Sequence, residues 1–156
     1  MDVFTPEIRK RFGTIYTPEF VVEATINLAF KHLDKSLDRT ILTYCDPAAG
    51  DGNFLVALYH KLMEDEQFIS KFPNPVIRSY HILTHSIYGI EILKFSWAKC
   101  RNRLLSLHLE IDKNNELPID LSELHIYWGN TILTPEDDFE IDESIGEGGL
   151  LPEEMR

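Results

Sequence analysis

The residues best equipped to hold a small ligand are Asp46, Asp51 and Glu91, with glycines at positions 50 and 52. The loop DPAAGDGN (46–53) invites a phosphate reading, but a P-loop needs a lysine and a hydroxyl residue after its last glycine. Neither follows Gly52. A dinucleotide fingerprint G-x-G-x-x-G is met at Gly50 and Gly52 and fails at the third glycine, where Leu55 stands. Its ribose-binding acid belongs about 20 residues on, whereas Glu91 lies 39 residues past Gly52. NAD is therefore a weak fit, unless a loop or hairpin over 66–85 accounts for the distance.

A third ligand class matches the charge of the loop. S-adenosylmethionine has no pyrophosphate and carries a sulfonium and an ammonium. Carboxylates at Asp46 and Asp51 suit such a cationic end and would repel a diphosphate. Glycines at 50 and 52 remove Cβ atoms where backbone would approach the ligand. The Glu91 carboxylate can accept from both hydroxyls of a ribose.

These residues need elements to converge them. TPEFVVEATINLAFKHLD (17–34) reads as a helix with Thr17 as N-cap, Pro18 at the first position, and Phe20, Val21, Ala24 and Leu28 on its apolar face. RTILTYCD (39–46) reads as a strand stopped by Asp-Pro, and NFLVALYHKLMEDE (53–66) as a helix. The segment 68–85, broken by two prolines, reads as mixed loop and strand. SIYGIEI (86–92) is a second strand, 93–111 a helix with Phe95, Ala98, Leu105 and Leu109 near helical spacing, and LHIYWGN (124–130) a third strand. Helices alternating with strands predict a parallel α/β sheet, whose ligands sit beyond the carboxyl ends of the strands. Those ends are Asp46–Gly52, Glu91 and Gly129-Asn130.

Four stretches in this order resemble the motifs of gamma-type adenine-N6 DNA methyltransferases, the restriction-modification methylases among them. FGTIYTPEFVV (12–22) is similar to their G-x-[YF]-Y-T-P motif, DPAAGDGNFL to DPACGSGxFL, YGIEI (88–92) to the second-strand acid motif, and GNTIL (129–133) to G-[DN]-x-L. The resemblance implies a Rossmann-like class I methyltransferase fold, here truncated after about three parallel strands with flanking helices. It implies S-adenosyl-L-methionine as cofactor, with Asp46, Ala48, Gly50, Asp51, Gly52 and Asn53 around its methionine part and Phe54 and Leu55 packing the loop. Tyr16, Thr17 and Pro18 would close over that end, Glu91 would hold the ribose, Ile92 would pack on the adenine, and Asn130 would bond the adenine edge. The pattern departs at Ala49 for cysteine, Asp51 for serine, Asn130 for aspartate and Leu93 for aspartate. Asp51 thus brings a charge whose partner the sequence does not reveal.

The resemblance also implies an Asn-Pro-Pro-Tyr-type motif that polarises a flipped adenine amine. The Asn-Pro at 74–75 continues with Val76-Ile77 and reads as a turn signal, so no catalytic residue is assigned. The catalytic half is expected beyond Arg156, and a fourth strand from it, or from a second chain, would pair beside the strand at 39–46. Residues 1–135 are read as the cofactor-binding domain and 136–156 as an acidic, mobile tail. Residues 1–109 hold 12 acidic and 13 basic side chains, against 14 and 2 in 110–156, within a net charge of −11. Such a surface repels DNA, so DNA contact is expected through the full enzyme. Cys45 and Cys100 read as reduced thiols of a cytoplasmic protein, and no apolar run approaches the roughly 20 residues of a membrane span. His81 and His85 lack a third ligand for a metal. Trp97 and Trp128 read as core, and Arg101 and Arg103 as solvent-facing. Two other classes stay open: a non-catalytic interaction module, and an RNA or small-molecule methyltransferase.

Overall fold

The computed structural model describes residues 17–132. Helix α1 (Glu19–His32) is followed by a 3-10 turn (Arg39–Ile41), strand β1 (Tyr44–Asp46) and helix α2 (Asn53–Met63). Two short helices, α3 (Glu66–Lys71) and α4 (Pro75–His81), and a π-turn (Ile82–Ser86) lead into strand β2 (Ile87–Glu91). Helix α5 (Lys94–Ile111), a 3-10 turn (Leu121–Glu123) and strand β3 (Ile126–Trp128) complete the described residues. The sheet is parallel with order β1-β2-β3, registered through Asp46 opposite Gly89 and Glu91 opposite Trp128. This is the predicted α/β architecture with three parallel strands and flanking helices.

Helices α2 and α5 share one face of the sheet. Leu55, Leu58 and Leu62 of α2 and Cys100 and Leu104 of α5 close over Ile87 and Ile126 to form the core. Burying a side chain of this size stabilises the fold by roughly 1.5–3 kcal/mol, so this layer, between the two crossover helices and the sheet, fixes where the strand ends point.

Several local expectations are corrected. The strand expected over 39–46 is cut to three residues, because Asp38 caps a turn by accepting from the Thr40 amide at 2.9 Å. Arg39 then pairs with Asp65 at 2.7 Å instead of extending the sheet. The segment 68–85 holds helix on both sides of a break at 72–74 instead of a strand, and its second proline sits at the first position of α4, where no amide is needed. Asn74 caps that helix, accepting from the Val76 amide at 2.8 Å. The long gap between Gly52 and Glu91 is thus filled by helices. In α1 the inward stripe is Val22, Ile26 and Phe30, while Phe20 and Leu28 are 73% and 58% exposed. Both stripes recur every four residues, so spacing could not choose between them. Pro18, not Thr17, is the cap residue of α1. Phe95 and Leu109 of α5 are exposed, and the inward face of that helix is Ser96, Cys100, Leu104 and His108. Trp97 and Trp128 are half-buried.

Candidate cofactor site

The β1–α2 loop is shaped by its own residues and by what lies beneath it. The Asp46 carboxylate accepts from the Ala48 amide at 3.0 Å, turning the chain at the end of β1. Gly50 has φ +54°, and a Cβ there would meet no atom within 4 Å, so the loop is open above it. Gly52 has φ +84°, and a Cβ there would come within 2.7 Å of the Cys100 sulfur. The two glycines are therefore needed for different reasons: conformation and open space at one, conformation and close packing at the other. From Gly52 the chain enters α2, its carbonyl accepting from the Val56 amide at 2.8 Å.

The three strand ends converge as expected. Glu91, at the tip of β2 and only 7% exposed, accepts from the Gly50 amide through Oε2 at 2.7 Å and from the Leu93 amide through Oε1 at 2.8 Å. Burial pushes its carboxyl up against the pull of those two amides, and the nearby Asp51 and Asp46 charges raise it further. Burial likewise raises Asp46, opposed by the Ala48 amide. The Ala49 amide donates to the Ile90 carbonyl at 2.9 Å, and the Thr131 hydroxyl reaches the Pro47 carbonyl at 3.2 Å. Loop, β2 tip and post-β3 turn are thereby tied into one edge.

The remaining expected residues divide. Trp128 fixes Ile92 by donating its indole N–H to the Ile92 carbonyl at 2.9 Å. Asn130 turns its carbonyl oxygen onto the Ile132 amide at 3.0 Å. Phe54 flanks the loop and lines a cleft of about 490 Å³ beside β1, with Ile26, Phe30, Tyr44 and Cys45. Thr17 and Pro18 lie just before α1, and neither hydrogen-bonds the loop among the described residues. Tyr16 lies outside the described residues, as do the first residues of its motif, Leu133, and the acidic stretch 136–156.

Helix α5 carries residues that sequence reasoning missed. Lys99 Nζ pairs with Asp51 Oδ2, supplying the unknown partner. Arg103, expected to face solvent, donates from Nη1 to the Asp51 carbonyl at 2.6 Å and to Asn53 Oδ1 at 2.7 Å. Arg101 instead lies over Trp97, 4.6 Å from the ring centroid. The available signal was the unexplained charge of Asp51, which demanded a cation from a non-adjacent element. Asn74, read as a turn signal, serves as a helix cap.

The site fits an uncharged or cationic adenosyl ligand better than a phosphate. A buried carboxylate, Glu91, and a half-buried one, Asp46, stand at the strand ends, and in the loop between them Asp51 Oδ1 is buried without a hydrogen-bond partner among the described residues. An anion would meet this acidic edge unfavourably.

Comparison with known proteins gives the frame for that geometry. Residues 23–123 match the family of the MmeI DNA-methyltransferase domain. The chain belongs to that family. It is 34% identical over 92 residues to the Type II methyltransferase M.BstVI of Geobacillus stearothermophilus, covering 59% of this chain and 16% of that protein. Its fold matches that of the ATP-dependent Type ISP restriction-modification enzyme LlaBIII bound to DNA, with a TM-score of 0.60 and 21% identity over 83% of this chain and 8% of that one. A nuclease-deletion mutant of the Type ISP enzyme LlaGI, in complex with a DNA substrate mimic, matches at 0.60 and 20% identity, over 84% and 11%. The resemblance to restriction-modification methylases is thus borne out, and the chain spans a small fraction of each relative's length.

Proposed function

We propose that this MmeI-family domain is the S-adenosyl-L-methionine-binding portion of a restriction-modification enzyme that methylates adenine N6 in DNA. The observation that carries the reading is Glu91: a buried carboxylate at the tip of β2, in direct hydrogen bond with the glycine loop of β1. A carboxylate has about four lone-pair directions, so Glu91 can keep its two amide donors and still accept from ribose hydroxyls. Asp46 would face the cationic methionine end, the open space above Gly50 would admit the ligand's body, and Ile92 and Asn130 would flank the adenine.

When bound, the cofactor supplies a methyl group on a sulfonium leaving group. The described residues contribute binding, orientation and desolvation to that transfer. The groups that would flip and polarise the adenine belong, on this reading, to further parts of the enzyme, which would also carry the DNA contacts that a net charge of −11 disfavours here. The test is calorimetry with S-adenosylhomocysteine on the wild-type chain and Glu91→Ala. Loss of the clamp is expected to weaken binding at least about tenfold, the scale of a charged hydrogen bond. Equal affinities would remove Glu91 from the site.

A further inference from the structure

One continuous segment, from β2 to the middle of α5, holds the ligand loop from below at successive positions. The Ile90 carbonyl holds the Ala49 amide, and Glu91 holds the Gly50 amide. Lys99 then meets the Asp51 carboxylate, and Arg103 the Asp51 carbonyl and the Asn53 side chain. Lys99 and Arg103 are four residues apart on α5 and so share a face. Cys100 between them fills the space that a side chain at Gly52 would require. The Asp51 side chain is 4% exposed against 48% for Lys99. A carboxylate that dry is tolerated because a cation reaches down to it.

The geometry points to Lys99 and Arg103 as positioning residues for the cofactor loop, with Lys99 required because the buried Asp51 carboxylate is present. The inference rests on the proposed cofactor reading and deepens it. It reassigns Asp51: its charge is taken up by Lys99, so the carboxylates left to meet a cationic ligand are Asp46 and Glu91. It also gives the departure from serine at position 51 a physical meaning, since serine needs no counter-charge. A loop held before the ligand arrives avoids the ordering cost of binding.

The test is a mutant cycle on the full chain with Lys99→Met, Asp51→Ser, the double variant and Arg103→Ala. Two quantities are read at a temperature where circular dichroism shows each protein folded: the Kd for S-adenosylhomocysteine, and amide exchange at Gly50 and Gly52. Lys99→Met leaves a buried carboxylate unpaired and is expected to weaken binding about tenfold or more and speed loop exchange. The double variant removes both partners and is expected to return to within about threefold of wild type. Arg103→Ala creates no lone buried charge, so it reports on the brace even if Lys99→Met does not fold. About fivefold weaker binding and faster Gly52 exchange are expected for it. A merely structural role would lower the melting temperature and leave affinity and exchange of the folded protein unchanged. Unchanged affinity and exchange in Lys99→Met and Arg103→Ala, or a double variant as impaired as Lys99→Met, would overturn the inference. Failure of the wild type itself to bind S-adenosylhomocysteine would remove the cofactor reading, and loop exchange alone would then decide the brace.

Discussion

At the residue scale, the two glycines make separable demands. Gly52→Ala adds a left-handed strain to a Cβ within 2.7 Å of the Cys100 sulfur, and overpacking of this kind costs about 1–3 kcal/mol. Gly50→Ala meets open space and should cost about 1 kcal/mol from backbone conformation alone. Urea denaturation of both variants checks the order, and Cys100→Ala in the Gly52→Ala background should recover part of the loss. Glu91 gives a pH signature. Its native carboxyl sits above its unfolded value, so its contribution to stability is full below the unfolded pKa and lost as pH rises through the native one. Donors from a bound ligand favour the ionised form. Binding of S-adenosylhomocysteine should therefore release protons, with affinity rising as pH climbs out of the ordinary carboxylate range of about 4.3. Calorimetry in buffers of different ionisation enthalpy reads that release directly.

At the element scale, α2, α4 and α5 are joined by a buried polar chain. Tyr59 bonds Ser79 at 2.8 Å, Ser79 bonds His108 Nδ1 at 3.0 Å, and His108 Nε2 meets the Leu117 carbonyl at 2.7 Å. In the tautomer with the proton on Nε2, His108 donates to that carbonyl and Nδ1 accepts from the Ser79 hydroxyl. Ser79→Ala would leave two buried partners unmet and is expected to cost about 1–3 kcal/mol in thermal or urea unfolding. None of these residues stood out in the sequence, because a serine, a tyrosine and a histidine on three helices have no shared spacing. The motifs at strand ends were legible for the opposite reason: a short loop imposes glycine and aspartate locally, and the parallel order brings the ends together without further information. Helix faces were less legible. In α1 the sequence offers Phe20, Ala24 and Leu28 as readily as Val22, Ile26 and Phe30, and only packing on α2 decides. Val22→Ala should cost about 1–3 kcal/mol, while Leu28→Ala should stay within about 0.5 kcal/mol.

At the scale of the whole molecule, the β2–α5 unit and the β1–α2 unit are two βα modules clasped across one loop. Sequence showed the modules and hid the clasp, since Lys99 and Arg103 read as ordinary surface cations until Asp51 was placed beside them. The two thiols report on opposite sides of this assembly. Cys100 is buried beneath the loop and pushed up to about 12, chiefly by burial, whereas Cys45 is exposed on β1. Iodoacetamide should modify Cys45 in the folded protein and Cys100 only after unfolding, as peptide mass mapping would show.

The outer side of β1 carries a consequence of another kind. Among the described residues β1 has a neighbour only at β2, and the cleft of about 490 Å³ beside it is walled mainly by apolar side chains from α1 and α2. A short strand with one edge free among the described residues, next to an apolar trough, behaves as adhesive. Self-association of this chain should therefore rise with its concentration, as light scattering would show, and diminish when a covalently attached strand-forming segment or a charged substitution at Cys45 occupies or repels at that seam. What looks like a margin of the fold would then govern how the protein behaves in the test tube.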